Sequence, residues 1–353
     1  MSDLFTPIAL GRTALKNRIV MAPMTRNRAG EGNVPTPLMA EYYAQRASAG
    51  LIITEATPIS VMAHGYPALP GIYSREHVAG WKKVNEAIHA KGGKVYLQLW
   101  HVGRISHPSL LPNNAQPVAP SAIRPAGQAF TYTGLQDFVT PRVLETGEIP
   151  GVVADYRKAA QYALDAGFDG VEVHSANGYL LDQFLRDGSN RRTDQYGGSI
   201  ENRARLTLEV TAAVCEVWGA DRVGVRLSPV NAFNDMHDSN PQALFNHVAE
   251  ALSPMGLAYL HVTEMGSAEQ AFDFNQLRAR YKGNYMTNGG YDKTRGNAAI
   301  ASGHADCVAY GVPYIANPDL VERFKADAPL NQADPNSFYG GTEKGYTDYP
   351  KMG

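Results

Sequence analysis

Eight short apolar runs rich in β-branched residues recur along this sequence, and a segment with helical periodicity follows each of them. The runs are residues 17–24, 51–56, 94–100, 170–174, 222–228, 258–263, 284–288 and 307–312. Short apolar runs of this kind indicate buried strands, and strands that alternate with helices form parallel sheets. Eight such units are the number that closes a (β/α)8 TIM barrel. We therefore predict a single (β/α)8 barrel domain over residues 1–353.

A doubly wound parallel sheet is the alternative arrangement for an alternating pattern. Such a sheet usually has fewer strands, and its dinucleotide-binding form carries G-x-G-x-x-G directly after the first strand. No such motif follows the first run here, and the phosphate-binding pattern G-x-x-x-x-G-K-[ST] is missing from the sequence. The barrel is therefore the better interpretation.

Three dipeptides place a helix-capping residue directly before a proline: Thr36-Pro37, Asn240-Pro241 and Asn317-Pro318. A Thr or Asn side chain can accept a hydrogen bond from the first turn, and proline is tolerated at the first helical position. We therefore predict that a helix begins at each of these points.

Two long stretches interrupt the alternation. Residues 103–150 contain seven prolines and no sustained periodicity, so we predict a loop excursion at the C-terminal rim of the barrel, such as a lid. Residues 178–199 form a second, polar stretch. Its arginines Arg186, Arg191 and Arg192 are predicted to lie on a solvated rim.

The balance of charges excludes functions that need a strongly basic surface. The chain has 32 Lys and Arg against 34 Asp and Glu, well mixed, with a net charge of −2, which predicts no nucleic-acid partner and no anionic membrane. Cys215 and Cys307 lie far apart and lack the spacing of metal ligands or of a disulfide framework. No apolar run approaches the roughly 20 residues that span a bilayer, and no signal-peptide pattern opens the chain. We expect a soluble cytoplasmic protein.

The ends of the predicted strands carry the candidate site, because barrel enzymes place their active sites at the C-terminal ends of the strands. The fourth strand delivers His174, Asn177 and Tyr179 within six positions. We interpret His174 and Asn177 as binding a substrate oxygen and Tyr179 as supplying a proton. The other polar, aromatic or glycine residues at strand ends are Thr25, Arg26, Glu55–Thr57, Gln98, Trp100, His101, Arg226, Ser228, His261, Thr263, Asn288–Gly290 and Gly311.

Three functions are compatible with such a set. A metal-dependent hydrolase could use His101, His174 and His261 as ligands, but the sequence lacks H-x-H pairs and well-placed carboxylates, so we predict no metal site. A flavin enzyme could hold a phosphate on the bare backbone of Gly289-Gly290 and Gly311, with donors from Gln98 and Arg226. A non-catalytic flavin-binding barrel is the third, and the presence of all three fourth-strand residues argues against it.

Seven segments in order resemble the old yellow enzyme family of FMN-dependent ene-reductases, nearly from end to end. They are residues 17–26 (NRIVMAPMTR), 98–104 (QLWHVGR), 168–185 (FDGVEVHSANGYLLDQFL), 196–203 (YGGSIENR), 226–229 (RLSP), 315–323 (IANPDLVER) and 345–350 (GYTDYP). Thr25 after Pro23-Met24, together with Trp100, is typical of the classical branch of this family.

The resemblance implies an activity and a role for each matching residue. It implies reduction of activated alkenes (α,β-unsaturated carbonyls, maleimides and nitroalkenes) and of nitro compounds, with NADPH or NADH as reductant and a monomer or homodimer as the assembly. The cofactor FMN would contact Pro23, Met24, Thr25, Ala56, Gln98, Arg226, Gly289, Gly290 and Gly311. The substrate would contact His174 and Asn177, with Trp100, Tyr66 and Tyr349 shaping its cavity, and Tyr179 would donate the proton.

One position departs from the family pattern. Relatives commonly have Gly-Arg after the eighth strand, and that arginine binds the FMN phosphate, whereas this chain has Gly311-Val312. A charge-assisted hydrogen bond contributes about 1.5–3 kcal/mol. We therefore predict weaker retention of FMN, unless another cation takes the place of the arginine.

Overall fold

Eight parallel strands close into a barrel in the computed structural model, which describes residues 2–265 and 272–352. Each strand pairs with the next, and the eighth pairs with the first, so the predicted (β/α)8 barrel is confirmed. A two-residue strand, Thr57–Pro58, lies beside the third. In chain order the barrel strands are Ile19–Met21, Leu51–Ile53, Val95–Trp100, Gly170–His174, Val223–Leu227, Tyr259–Thr263, Tyr285–Asn288 and Cys307–Tyr310.

Helices pack around the barrel and carry their apolar faces inward. The α-helices of the described residues are Pro37–Gln45, Arg75–His89, Ile149–Asp165, Leu180–Leu185, Ile200–Trp218, Pro241–Leu252, Phe274–Arg280, Lys293–Ala301, Val312–Ala316 and Leu320–Ala326. No helix in these ranges is long and apolar enough to cross a membrane.

Two of the three predicted helix starts are confirmed by their caps. The Thr36 hydroxyl accepts a hydrogen bond from the Met39 N–H at 3.3 Å, and the Asn240 carboxamide accepts one from the Ala243 N–H at 3.1 Å. The third prediction is wrong. Asn317 ends the helix Val312–Ala316, and its oxygen accepts from the Asn331 N–H at 2.8 Å, so it is not available to cap; the last helix begins after Asp319.

The N-terminal end of the barrel is closed by aromatic rings and a hairpin. Tyr96 and Tyr259 lie inside the barrel with their ring centroids 5.9 Å apart. A Cβ on Gly170 would come within 2.3 Å of the Tyr96 ring, and one on Gly224 equally close to the Tyr259 ring, so both positions require glycine. The strands Ile8–Leu10 and Thr13–Leu15 form an antiparallel hairpin whose Thr13 hydroxyl bonds the Tyr96 hydroxyl at 2.8 Å. These side chains fill the barrel at this end, and the cavity lies at the opposite end, beside Pro23, Arg226 and Gly311.

The long excursion contains short regular elements that its sequence did not reveal. Within residues 103–150, Gln128–Thr131 and Gly134–Asp137 form an antiparallel hairpin, and Val118–Ala119 pairs in parallel with Arg142–Val143. The hairpin strands are only four residues long, and the first of them exposes Phe130 and buries Thr131, which reverses the usual relation between hydrophobicity and burial. Phe130 and Leu135 of this hairpin reach the mouth of the barrel.

The prediction of a solvated rim for residues 178–199 is wrong for two of its three arginines. The helix Leu180–Leu185 is buried along its whole length. Arg186 is also buried, and its Nε donates to Asp182 at 2.9 Å. The Arg192 guanidinium donates to the Leu144 carbonyl at 2.5 Å and to Asp194 at 2.6 Å, whereas Arg191 is exposed. These contacts fasten the stretch to the barrel beside the fourth-strand exit.

Candidate active site

A cavity of about 560 Å³ opens at the C-terminal ends of the barrel strands. Its volume lies within the range of about 300–1,000 Å³ that is usual for small-molecule and cofactor sites. Most of its surface is apolar, and its polar lining residues include Thr25, Arg226 and Asn288. Its lining consists of Ala22, Pro23, Met24, Thr25, Asn27, Tyr66, Phe130, Leu135, Tyr179, Arg226, Phe233, Asn288, Gly311, Val312, Ile315, Phe338 and Tyr339.

A tight turn after the fourth strand brings Tyr179 back beside His174. Asn177 and Gly178 have φ angles of +58° and +77°, and a Cβ on Gly178 would lie 2.6 Å from the Met236 side chain. Asparagine tolerates this left-handed conformation and glycine adopts it freely. The ring centroids of His174 and Tyr179 are consequently 5.2 Å apart.

Two further aromatic residues predicted for the site join this pair. The Trp100 ring centroid lies 6.2 Å from that of His174 and 4.7 Å from that of Tyr179. The Tyr66 hydroxyl lies 3.2 Å from the Tyr179 hydroxyl. The structure therefore brings these four predicted residues together at one side of the cavity.

Burial keeps both His174 and Tyr179 uncharged. It lowers the pKa of His174 well below its usual value, and the positive charge of Arg226 lowers it further. Burial also raises the pKa of Tyr179, although hydrogen bonds to Tyr66 and Asn234 oppose that shift. His174 is thus a neutral imidazole whose buried Nδ1 meets no partner among the described residues, and Tyr179 keeps its proton at neutral pH.

Hydrogen bonds from the loop after the fifth strand hold Asn177. Its N–H donates to the Ser228 hydroxyl at 2.7 Å, and its carbonyl accepts from Asn234 Nδ2 at 2.8 Å. Its Oδ1 accepts from Asn231 Nδ2 at 3.0 Å, which orients the carboxamide and leaves its own Nδ2 as a donor for a ligand. The supporting roles of Asn231 and Asn234 were missed, because their partner lies more than fifty residues away in sequence.

Gln98 and Arg226 lie on the third and fifth strands, on either side of the fourth, which carries a buried carboxylate, Glu172, that was not predicted as a site residue. Gln98 Nε2 donates to Glu172 Oε1 at 2.7 Å, and His261 Nδ1 lies 2.8 Å from the other oxygen of Glu172. Arg226 Nη2 donates to Thr263 Oγ1 at 3.3 Å and to Asn288 Oδ1 at 3.2 Å. The signal for Glu172 was a charged residue at an inward position of an otherwise apolar strand.

Gln98, Arg226 and the apolar residues around them have the chemistry that an FMN site requires. Arg226 Nε is buried and has no hydrogen-bond partner within the described ranges, and it belongs to a residue that lines the cavity. Buried polar groups are normally satisfied, so an unpaired donor here points to a polar ligand. A guanidinium and a carboxamide suit the oxygen- and nitrogen-rich edge of a flavin. Pro23, Met24 and Thr25 line the same cavity, and Ala56 packs in one apolar cluster with Trp100 and Tyr179.

The three predicted phosphate-binding glycines differ in exposure: Gly289 is buried, Gly290 is exposed and Gly311 is half-buried. Of the three, Gly311 lines the cavity. Gly289 and Gly290 have φ angles of +131° and +65°, and a Cβ on Gly289 would lie 2.8 Å from the Met265 side chain. A Cβ on Gly311 would meet only the Met24 side chain, at 3.6 Å or more, so this backbone faces open space.

Val312, which stands at the usual position of the phosphate-binding arginine, is 53% exposed and brings no charge. The cation that contacts the glycine pair is Arg295, whose Nη1 donates to the Gly290 carbonyl at 2.7 Å. Its guanidinium also lies over the Tyr291 ring, 4.5 Å from the centroid. The Arg295 guanidinium therefore already has partners within the protein, and it lies beside the Gly289-Gly290 loop.

Of the residues predicted to contact the substrate or shape its cavity, Tyr66 is part of the cavity lining, and Trp100 and His174 pack against the lining residue Tyr179. Tyr349 is not part of the lining. Its hydroxyl accepts a hydrogen bond from the Asp334 N–H at 3.0 Å, and Phe338 and Tyr339 line the cavity in its place. The reason is a clamp on the C-terminal tail, in which Arg26 donates to the Phe338 and Gly345 carbonyls, both at 2.8 Å.

The three histidines of the hydrolase hypothesis have separate surroundings. His101 Nδ1 accepts from the Gly103 N–H at 3.0 Å, and His261 bonds Glu172. Within residues 2–265 and 272–352, no group of three or more His, Cys, Asp or Glu is placed to hold a metal ion. The site geometry gives that hypothesis no support.

Comparisons with known proteins agree on one family. Residues 3–331 match the NADH:flavin oxidoreductase / NADH oxidase family. A putative 12-oxophytodienoate reductase 11 of Oryza sativa subsp. japonica is 47% identical over 359 residues, covering 99% of this chain and 97% of the relative. The structure of morphinone reductase in complex with tetrahydroNAD is 52% identical, with a TM-score of 0.95, covering 100% of this chain and 98% of that one. The old yellow enzyme homologue from Zymomonas mobilis is 45% identical, with a TM-score of 0.97, covering 99% and 100%.

Proposed function

Since the chain belongs to the NADH:flavin oxidoreductase / NADH oxidase family, the old yellow enzyme family, we propose that it reduces the C=C bond of alkenes activated by a carbonyl, imide or nitro group. Membership makes the protein an FMN-dependent oxidoreductase that takes electrons from a nicotinamide. The observation that carries the proposal is the uncharged His174 with an unpartnered nitrogen beside the protonated Tyr179, both next to a cavity that fits the cofactor. Nitro compounds are proposed as further substrates.

We propose that FMN lies with its pyrimidine portion against Gln98 and Arg226, one edge along Pro23, Met24, Thr25 and Ala56, and its phosphate on Gly289, Gly290 and Gly311. When bound, FMN supplies the chemistry of hydride transfer, from NADPH or NADH to the β-carbon of the alkene. The morphinone reductase complex with tetrahydroNAD supports a nicotinamide reductant. The shared use of one cavity by nicotinamide and alkene explains why the chain needs no separate dinucleotide-binding motif.

His174 and Asn177 would bind the activating oxygen of the substrate. Hydride addition builds negative charge on that oxygen, and fixed donors aimed at developing charge lower the barrier because they need no reorganisation. The carboxamide of Asn177 is held by Asn231, and His174 is held between Trp100 and Tyr179. Both donors are therefore fixed in place before the substrate arrives.

Tyr179 would donate a proton to the α-carbon. Its raised pKa keeps the hydroxyl protonated, and the Tyr66 hydroxyl at 3.2 Å is placed to hand on a proton or to orient the donor. Trp100 and Tyr66 would shape one wall of the substrate cavity, and Phe338 and Tyr339 contribute to its lining.

A panel of alkenes tests the proposed substrate class. We expect NADPH-dependent turnover of 2-cyclohexenone, N-ethylmaleimide and β-nitrostyrene, and none of cyclohexene, which has no oxygen for His174 and Asn177 to bind. Equal rates for cyclohexene and 2-cyclohexenone would contradict the role of an activating oxygen.

The Val312→Arg variant should bind FMN more tightly than the wild-type protein. A new charge-assisted hydrogen bond of about 1.5–3 kcal/mol corresponds to a gain in affinity of roughly 10- to 100-fold. Fluorescence titration of the apo-protein with FMN measures this. Val61→Arg is the matched control, because Val61 is a similarly exposed valine away from the glycine loops. Equal affinity of Val312→Arg and wild type would show that another group, with Arg295 as the nearest candidate, already neutralises the phosphate.

A further inference from the structure

A fully buried carboxylate lies inside the barrel beneath the proposed flavin site. Glu172 is in the middle of the fourth strand, two residues before His174, and its side chain has no exposed surface. In the barrel register it stands opposite Gln98 on the third strand. Burial of a charged carboxylate lowers the stability of the fold unless its partners stabilise the charge.

The contacts of Glu172 determine how the Gln98 carboxamide is oriented. A carboxylate can only accept hydrogen bonds, so the 2.7 Å contact to Oε1 commits the NH₂ group of Gln98. The carboxamide oxygen of Gln98 must then turn away from Glu172. None of the described residues donates a hydrogen bond to that oxygen, and it is left for a ligand with an N–H group.

The second partner of Glu172 is His261. Its Nδ1 lies 2.8 Å from Glu172 Oε2, and both side chains are completely buried. Burial alone would raise the pKa of Glu172, but His261, Arg226 and Gln98 stabilise the carboxylate and the pKa is lowered. Burial lowers the pKa of His261, so Glu172 is the ionised member of this pair.

Arg226 carries the opposite charge in the same part of the barrel, but it does not pair directly with Glu172. Its Nη2 donates to Thr263 and Asn288, and its Nε stays free of partners in the part of the chain that the structure describes. Gln98 and His261 therefore hold the carboxylate apart from the guanidinium. This separation leaves Arg226 available to a ligand while the negative charge remains close enough to offset it.

We propose that Glu172 is a positioning residue of the flavin site, which orients Gln98 and offsets the charge of Arg226, and so sets both the affinity for FMN and its reduction potential. The inference rests on the proposed placement of FMN against Gln98 and Arg226.

Two variants of Glu172 separate the effect of its charge from the effect of its hydrogen bond to Gln98. Glu172→Gln removes the charge, leaves Arg226 unbalanced and favours the electron-rich reduced cofactor. We expect its reduction equilibrium to shift at least about tenfold toward the reduced form, a rise of roughly 30 mV for a two-electron couple. Glu172→Asp keeps the charge but is one methylene shorter, so it weakens the bond to Gln98. We expect FMN affinity to fall about tenfold while the potential stays close to that of the wild type.

Spectroelectrochemical titration of the holoenzymes and fluorescence titration with FMN provide the two measurements. Tyr96→Phe is the control, because it removes a buried hydrogen bond, to Thr13, deeper in the same barrel and leaves every charge in place. We expect it to alter neither the potential nor the affinity.

Wild-type potential in Glu172→Gln together with wild-type affinity in Glu172→Asp would overturn the proposal. If Glu172→Gln does not fold, the affinity of Glu172→Asp decides: a loss supports the role and an unchanged value overturns it. Arg226→Gln, measured in parallel, separates a failure of this proposal from a failure of the proposed FMN placement. Unchanged FMN affinity in Arg226→Gln would contradict the placement of the cofactor itself.

Discussion

The Tyr179→Phe variant should reduce activated alkenes about 10²- to 10⁴-fold more slowly than the wild-type enzyme, which is the usual contribution of a positioned general acid. The substitution removes only the hydroxyl, and the ring can keep its edge contact with Trp100 at 4.7 Å. Reduction of the flavin by NADPH needs no proton from Tyr179, so we expect that half-reaction to stay near its wild-type rate. Stopped-flow measurement of the two half-reactions separates the effects.

Tyr196→Phe is the matched control for this variant. Tyr196 is a buried tyrosine near the same rim, and its hydroxyl bonds Glu209 at 2.9 Å, away from the cavity. Both half-reactions of Tyr196→Phe should proceed at wild-type rates. If Tyr179→Phe slows flavin reduction and alkene reduction equally, Tyr179 acts through binding or folding and its assignment as the acid is wrong.

Loss of either donor to the substrate oxygen, His174 or Asn177, should slow alkene reduction about as much as the Tyr179→Phe substitution. Removal of one preorganised donor to a developing oxyanion costs about 10²–10³ in rate, and we expect this loss in kcat/KM for 2-cyclohexenone with His174→Ala or Asn177→Ala. His174→Asn retains an N–H donor and should recover part of the loss. Because His174 is neutral, its contribution should not depend on a charge that titrates near neutral pH.

A half-buried histidine outside the proposed site provides the control for the His174 variants. His107 lies in the excursion of residues 103–150, and among the described residues its side chain bonds to neighbouring Ser109, so His107→Ala should keep wild-type kcat/KM. Steady-state kinetics of all four variants with 2-cyclohexenone makes the comparison. A wild-type kcat/KM in both His174→Ala and Asn177→Ala would show that the activating oxygen binds elsewhere.

The barrel was predictable from sequence because its determinants are local. A buried strand such as Gly170–His174 needs consecutive apolar residues, and caps such as Thr36 and Asn240 act within one turn of their own helix. Strand boundaries were less accurate. The first strand is shorter than residues 17–24, since the Asn17 side chain accepts from the Ile19 N–H and Pro23 has no N–H to pair.

The cluster at the fourth-strand exit was predictable for the same reason. His174, Asn177 and Tyr179 are close in sequence, and a strand end followed by a tight turn must keep them close in space. The features that were not predictable depend on distant contacts. Arg186 is buried because, besides Asp182 one turn before it, its guanidinium donates to the Ser228 carbonyl beyond the fifth strand. The course of the C-terminal tail, which carries Tyr349, depends on Arg26, more than three hundred positions earlier in the chain.

Glu172 was not predicted as a site residue, because only residues at the ends of strands were considered as candidates. It lies one layer below the exits, where only the barrel register reveals that it stands beside Gln98 and His261. An acidic residue within an apolar strand was visible in the sequence, but its partners come from the third and sixth strands. The role of Glu172 can therefore be inferred only once the positions of the third and sixth strands are known.

An anaerobic titration of the purified holoenzyme tests the central claim most directly. Addition of NADPH should bleach the flavin absorbance, and subsequent addition of 2-cyclohexenone without oxygen should restore it, with cyclohexanone formed in equal amount. Absorbance that bleaches with NADPH and recovers only when oxygen is admitted would contradict the account, because the alkene would then not be accepting the electrons.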